Sequence, residues 1–366
     1  MQEEIKFTVK NLNEKELQTS FSRYVLGIDI GGTNTNLGVA GIKNNLPTLL
    51  FSLNFQSENL PSLIPAVEET LAFALDNYHI NIDNTVIGAA GVVSPSHDSA
   101  SLTNVSWDID SKDLVQKTPL SSAYIINDFQ AIGYGINLLN PNNEEDLFVI
   151  RPDQLHQTSS RKAIIGAGTG FGKSILVYDE QFNVYVPLPS EGGHGDLPIY
   201  NDFEMELVNF IKKLRNISQP ITYEEVLSGR GIESIYLFLR QSGKFNELQH
   251  TGEIDQSAHK TPLISQYRNI DETCRETFRL FTKFYGRCAK NFVLDSLAMD
   301  GLYIAGGIAS KNKEIFKSKE FLDEFENAHQ RSEILQKTPI FVIANYDVSL
   351  YGACFAAMYL TQMKTY

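Results

Sequence analysis

Two short stretches of this chain join glycine to hydroxyl and carboxyl side chains in a pattern suited to phosphate. The first spans Ile28, Asp29, Ile30, Gly31, Gly32, Thr33 and Asn34. Glycines at such a turn let backbone N–H groups approach phosphate oxygens with no Cβ in the way, and Thr33 adds a hydroxyl donor. Asp29, at the end of an apolar run, is placed to hold the water shell of Mg2+, which prefers oxygen ligands. The second stretch, Gly168-Thr169-Gly170, lies in the other half of the chain. Either one alone reads equally well as a plain hairpin turn. Two of them, one from each half, would clamp one nucleotide.

A more tempting phosphate motif is a decoy. Ala167 to Ser174 (Ala-Gly-Thr-Gly-Phe-Gly-Lys-Ser) fits a relaxed phosphate-loop pattern. That loop must lead into a helix whose N-terminus faces the phosphates. Here Ser174 to Tyr178 alternates, is partly β-branched and turns at Asp179, so the segment is a strand.

The elements that must position these residues are legible in outline. Tyr24–Ile30 is a buried strand, and Asn36–Ile42 resumes as a strand after the glycines, which makes a hairpin. Residues 63–78 show helical spacing. Thr85–Val93 reads as a further buried strand, and Ala123–Ile126 as a short one ending in Asn127-Asp128, a pair common where strands give way to turns. The grammar then restarts with strand Lys162–Gly166, a Gly turn, strand Ser174–Tyr178, and a strand from Val184 to Pro187. Cys274, Phe278, Phe281, Tyr285, Cys288 and Phe292 fall three or four apart on one long amphipathic helix. It leads to strand Gly301–Ile304, the turn at Gly306 and Gly307, and a closing helix, Leu350–Met363. Residues 1–22 read as a loose extension or one short helix, and 241–265 as a polar surface insertion.

Composition narrows the function classes. The chain has 366 residues, 42% hydrophobic and 20% charged, enough for two globular domains. Its net charge of −13 without a basic stripe excludes nucleic acid as a partner and makes local amides and Mg2+ necessary for any polyphosphate. The apolar runs are too short and Gly-rich to span a bilayer, and the acidic start does not resemble a signal peptide. The expectation is a cytoplasmic protein with no membrane partner. The three cysteines lie among apolar neighbours without metal-ligand spacing and read as core thiols, with no structural zinc.

One order of motifs runs along the chain: Asp29 to Thr33, Leu102-Thr103-Asn104 with Trp107, Asn127-Asp128-Phe129, Gly166 to Gly172, Glu191-Gly192-Gly193-His194, Leu227-Ser228-Gly229 and Ala305-Gly306-Gly307. In that order the chain resembles the bacterial-type glucokinase family, within the actin-like, sugar-kinase and Hsp70 superfamily, over roughly residues 24–366. The resemblance implies an α/β protein of two ribonuclease-H-like (actin-like ATPase) domains with a cleft between them. Its boundaries would be an extension at 1–22, a small domain at 23–136 plus 347–366, and a large one at 137–346. It further implies ATP and Mg2+ as cofactors, a hexose as substrate, glucose 6-phosphate as product, and a homodimer as the assembly of such relatives.

By the same resemblance Asp128 is the catalytic base that takes the proton of the sugar O6 hydroxyl, and Asn127 binds a neighbouring hydroxyl. Glu191 and His194 supply further sugar contacts, the two glycines between them allowing a tight turn. Glu224 matches another sugar-binding carboxylate, with Glu225 as the alternative, and Asn104 forms a wall of the pocket. Gly306 and Gly307 would face the adenosine, although a simple strand-to-helix turn explains them equally. Related ROK proteins carry a Cys-rich zinc motif and, in the repressors, an N-terminal helix-turn-helix; this chain has no such cysteine cluster, and 22 polar residues are too few for that DNA-binding unit. Two functions stay open on this scaffold: a kinase for glucose or another hexose, with ATP, ADP or polyphosphate as donor, and a non-catalytic sugar or ATP sensor.

Overall fold

The computed structural model describes residues 5–103, 105–153 and 160–363. The chain divides into two compact units, the first made of residues 1–139, 179–187 and 345–366, the second of 140–178 and 188–344.

Unit 1 is built on a sheet of β1 (Phe7–Lys10), β2 (Arg23–Ile30), β3 (Asn34–Lys43), β4 (Leu46–Gln56), β5 (Asn84–Ala89) and β6 (Ser122–Asn127), in the order β1-β4-β3-β2-β5-β6. The first four pair antiparallel, while β5 and β6 continue parallel to β2. Burial of Val25, Leu26 and Ile28 on β2 is complete, as expected for a strand covered on both faces. Alternate side chains serve two layers. Leu26, Ile28, Leu37 and Val39 pack with Val67 and Leu71 of helix Ile64–Tyr78. Val25, Ala40 and Ile126 pack with Ala131 and Phe355, from helices Asp128–Gly135 and Val348–Met363.

Three expectations for this unit need correcting. Residues 1–22 are not merely a loose extension or a helix: Phe7–Lys10 pairs with Ser52–Phe55, and Phe7 packs against Phe55 and Phe73. The strand expected over Thr85–Val93 stops at Ala89, and Gly91–Val93 joins a separate three-stranded sheet with Ser99–Leu102 and Ile109–Asp110. The glycine makes the departure possible, because a Cβ on Gly91 would lie 2.1 Å from the Ser101 carbonyl oxygen. Residues 179–187, inside the expected large domain, group with unit 1, where Val184 sits beside Phe355 and Tyr359 and the Tyr359 hydroxyl donates to Asp179 at 2.9 Å.

In unit 2 the strands β7 (Leu147–Arg151), β8 (Arg161–Ala167), β9 (Phe171–Asp179), β10 (Leu302–Ala305) and β11 (Ile340–Ile343) run in the order β7-β11-β10-β8-β9. β8 and β9 form an antiparallel hairpin, and β10 and β11 continue parallel to β8, repeating the grammar of unit 1. The long helix Glu272–Ser296 spans this core, with Phe281, Phe284, Tyr285 and Val293 buried in one cluster with side chains of helix Gly229–Gln241, and Tyr285 in ring contact with Phe316 and Phe321. The stretch 241–265 lies largely at the surface, as expected, but it is folded and anchored. It contains helix Thr251–Gln256 and most of helix Lys260–Tyr267, whose Ile254 and Ile264 are fully buried. Single apolar anchors among polar residues leave too weak a periodicity to read. Among the described residues no helix is long and apolar enough to cross a membrane.

Candidate active site

Unit 1 carries the first group of site residues on one edge of its sheet. Parallel strands end on the same side, and here Ile30, Ala89 and Asn127 stand abreast in register across β2, β5 and β6. Motifs separated by nearly a hundred positions thus come within two strand spacings, about 10 Å. The Gly31–Thr33 hairpin is closed by a Gly31 amide bond to the Asn34 carbonyl at 2.9 Å. Ser57 fixes it from behind: its hydroxyl donates to the Gly31 carbonyl at 2.8 Å and its amide to that of Thr33 at 2.9 Å. Gly32 and Thr33 stay exposed at the tip.

Asp29 leaves the strand just before this hairpin. The Ser349 hydroxyl donates to its Oδ1 at 2.6 Å. Burial pushes this carboxyl above its ordinary value; hydrogen bonds from Ser349 and Asn36 oppose that rise, and the nearby charge of Asp347 adds to it. A partly exposed, hydrogen-bonded carboxylate that is short of positive charge fits an oxygen ligand to a hydrated Mg2+. Ser349 lies 320 positions from Asp29, and no sequence signal links the two.

Asn127 and Asp128 turn out to be a helix start. Asn127 is the N-cap of helix Asp128–Gly135: its Oδ1 accepts the Phe129 amide at 2.9 Å, and Gln130 returns the bond to the Asn127 amide at 3.2 Å. This capping box fixes the Asn127 side chain and leaves its Nδ2 as the outward group. Asp128 is the first residue of the helix and partly exposed, and its Oδ1 accepts the Phe129 amide at 2.9 Å. The helix lies hard against Val348–Met363, since a Cβ on Gly352 would fall 1.7 Å from the Ala131 oxygen and one on Gly135 2.3 Å from the Val348 oxygen. Asn104 lies outside the described residues.

Unit 2 carries the second group. In the Gly168-Thr169-Gly170 turn between β8 and β9, the Gly168 amide bonds the Gly170 carbonyl at 2.8 Å. A Cβ on Gly168 would meet nothing within 4 Å, so its outer face is open. Lys173, the lysine of the decoy motif, is buried with its ammonium 4.1 Å from the Tyr223 ring centroid, directed into the core. Gly306 follows β10 beside this turn with φ 93°, and its Cβ would fall 2.4 Å from the Ala167 oxygen, so glycine is required there on both counts. Gly307 opens a short helix toward solvent.

Glu191 and His194 flank a single 3-10 turn, Gly192–His194, with both side chains largely exposed and 3.8 Å apart. The turn packs directly on the Gly168–Gly170 hairpin: a Cβ on Gly193 would lie 1.8 Å from the Phe171 oxygen. The amides of Tyr223 and Glu224 bond the carbonyls of Gly195 and Gly193 at 3.0 and 3.1 Å. Glu224 is engaged at both oxygens, accepting the Phe171 amide at 3.0 Å and Arg230 at 2.8 Å. Glu225 turns toward Arg215 at 3.6 Å. Neither Arg230 nor Ser57 stood out in the sequence.

The glucokinase family profile matches residues 26–360. Curated glucokinases of Trichormus variabilis and Nostoc punctiforme are 33% and 34% identical, each match covering 91% of this chain and 98% of the relative. A solved glucokinase from an Antarctic psychrotroph has a TM-score of 0.74 at 25% identity, covering 91% of this chain and 98% of its own. The glucokinase of Balamuthia mandrillaris, solved in complex with glucose, shares the fold at a TM-score of 0.74 and 21% identity, covering 92% and 93%. By the extent of these matches, the chain belongs to the glucokinase family.

Proposed function

We infer that this protein is a glucokinase that transfers a phosphoryl group from ATP to O6 of glucose, with Asp128 as the general base. The observation that carries this reading is the position of Asp128: the first residue of a capped helix at the end of a sheet strand, in a chain of this family. Its carboxylate accepts the O6 proton as the hydroxyl attacks. A raised pKa is not required, because proton transfer comes late in a loose phosphoryl-transfer transition state.

Asn127 donates from Nδ2 to a neighbouring sugar hydroxyl, while Glu191, His194, Glu224 and Asn104 hold the others. The hairpins Ile28–Asn34 and Gly168–Gly170 offer amides to the phosphates, and Gly306 and Gly307 receive the adenosine. Asp29 holds Mg2+ through water, and Ser349 keeps the Asp29 carboxylate turned to that task. When bound, the ion screens the charge of the phosphate chain. We also assign both units to the ribonuclease-H-like class; the support is the shared pattern of an antiparallel hairpin followed by two parallel strands.

The test is a panel of glucose, mannose, fructose and N-acetylglucosamine against ATP, ADP and polyphosphate with Mg2+. Glucose with ATP should give the highest kcat/KM. An absence of sugar phosphate with every donor would instead identify a sensor.

A further inference from the structure

The Gly168–Gly170 hairpin carries a charge that a phosphate site should not tolerate. Glu224 Oε2 accepts the amide of Phe171 at 3.0 Å, and a Cβ on Gly170 would stand 2.7 Å from the same oxygen. Glu225 follows, in a chain already at −13. An uncompensated carboxylate at that place would repel the phosphates that the hairpin amides attract.

Arg230 answers this charge. Its Nη2 lies 2.8 Å from Glu224 Oε1 and 3.8 Å from Glu225 Oε1. It is the second residue of helix Gly229–Gln241, and that helix start is bonded to the hairpin itself, the Gly229 amide donating to the Gly168 carbonyl at 2.9 Å. The guanidinium is therefore separated from the hairpin by a single carboxylate. It is also 49% exposed, so its remaining N–H donors are open to a ligand, and a guanidinium has five in all.

We propose that Arg230 is a residue of the nucleotide site: it neutralises Glu224 at the phosphate hairpin and presents positive charge and donors to the phosphate chain of ATP. This rests on the reading of the protein as an ATP-dependent kinase. A guanidinium suits the role, because its planar fork can serve a carboxylate and a phosphate at once.

The test is calorimetric binding of a non-hydrolysable ATP analogue with Mg2+, of ADP and of adenosine to the wild type, Arg230→Ala, Arg230→Gln and Arg230→Lys, with glucose binding measured on each. Arg230→Ala and Arg230→Gln should weaken the triphosphate by about tenfold, ADP by less and adenosine not at all. The gap to the wild type should narrow as salt is raised, and Arg230→Lys should restore part of the affinity. Thermal unfolding midpoints close to that of the wild type show that the variants are folded, and any change in glucose affinity, which acts through Glu224, should be smaller than the loss for the triphosphate. Equal losses for adenosine and triphosphate, or a loss confined to glucose, would overturn the proposal and leave Arg230 as a structural partner of Glu224. A wild type that binds none of the nucleotides would remove the kinase reading along with it.

Discussion

The separate tasks proposed for Asn127 and Asp128 follow from one local fact, the start of a helix. The cap consumes the Asn127 oxygen, so the capping duty and the proposed sugar contact of this side chain can be pulled apart by substitution. Asn127→Asp keeps a capping acceptor and should leave stability within about 0.5 kcal/mol. It replaces the outward donor by an oxygen, and KM for glucose should rise about tenfold or more, as when a sugar hydroxyl loses its partner. Thermal unfolding and steady-state kinetics on the same preparation check both halves. A loss of stability with unchanged KM would leave Asn127 a cap and nothing else. At this scale the sequence was informative wherever a motif was local: the Asp29–Thr33 and Gly168–Gly170 turns are hairpins as read, and Ser174–Tyr178 is strand as read. Ser57, Ser349 and Arg230 were not legible, because each acts on a partner that only the folded chain brings near. A serine after a strand, or an arginine between two glycines, carries no mark of what it will face.

At the scale of elements, glycine decides how closely helices may approach. Helix Asp128–Gly135 meets helix Val348–Met363 at Gly135 and Gly352, backbone against backbone. The second helix also carries Ser349, so one element touches both Asp29 and the helix that begins with Asp128. Gly352→Ala would set a methyl 1.7 Å from the Ala131 oxygen. The helices must part, at a cost of about 1–3 kcal/mol, and kcat should fall with the displacement of Asp128. A denaturation curve with a lower midpoint and a matching fall in kcat is the expected result; unaltered kinetics would mean that the crossing does not position the base. The expected strands and helices were found where burial on both faces or strong 3.6-residue spacing announced them, as at Tyr24–Ile30 and in the long helix through Phe281. The failures have two causes. Phe7–Lys10, Ile254 and Ile264 contribute one or two apolar side chains from polar surroundings, so tertiary contact rather than pattern stabilises these segments. Strand Leu46–Gln56, by contrast, is a run of buried Leu and Phe that its own sequence announces, and it is missing from the expected strands.

For the molecule as a whole, stability has an acid-sensitive component that is separate from the site. In unit 2, Arg287 is 1% exposed and forms two hydrogen bonds with Glu204, at 2.8 and 2.9 Å, with its guanidinium stacked on Tyr200. Burial works against the Glu204 charge, but the bonds from Arg287 and the Tyr200 amide outweigh it and hold the carboxyl below its ordinary value. A carboxyl depressed on folding contributes stability that is present above its unfolded pKa, about 4.3, and is lost as pH falls through the folded value. Glu204→Gln should therefore lower stability near neutrality by about 3 kcal/mol. It should also flatten the decline that the wild type shows below about pH 4. Urea unfolding at pH 7 and pH 3.5 checks the sign, and a variant that stays as acid-sensitive as the parent would refute it.

The proposed role of Asp128 as the base of a glucose-dependent ATP reaction is tested by ADP release with and without glucose in the wild type and in Asp128→Ala, beside nucleotide affinity for both. The wild type should release ADP only with sugar. The variant should bind ATP as before and turn over about a hundredfold more slowly or worse. Turnover near that of the wild type would contradict the account.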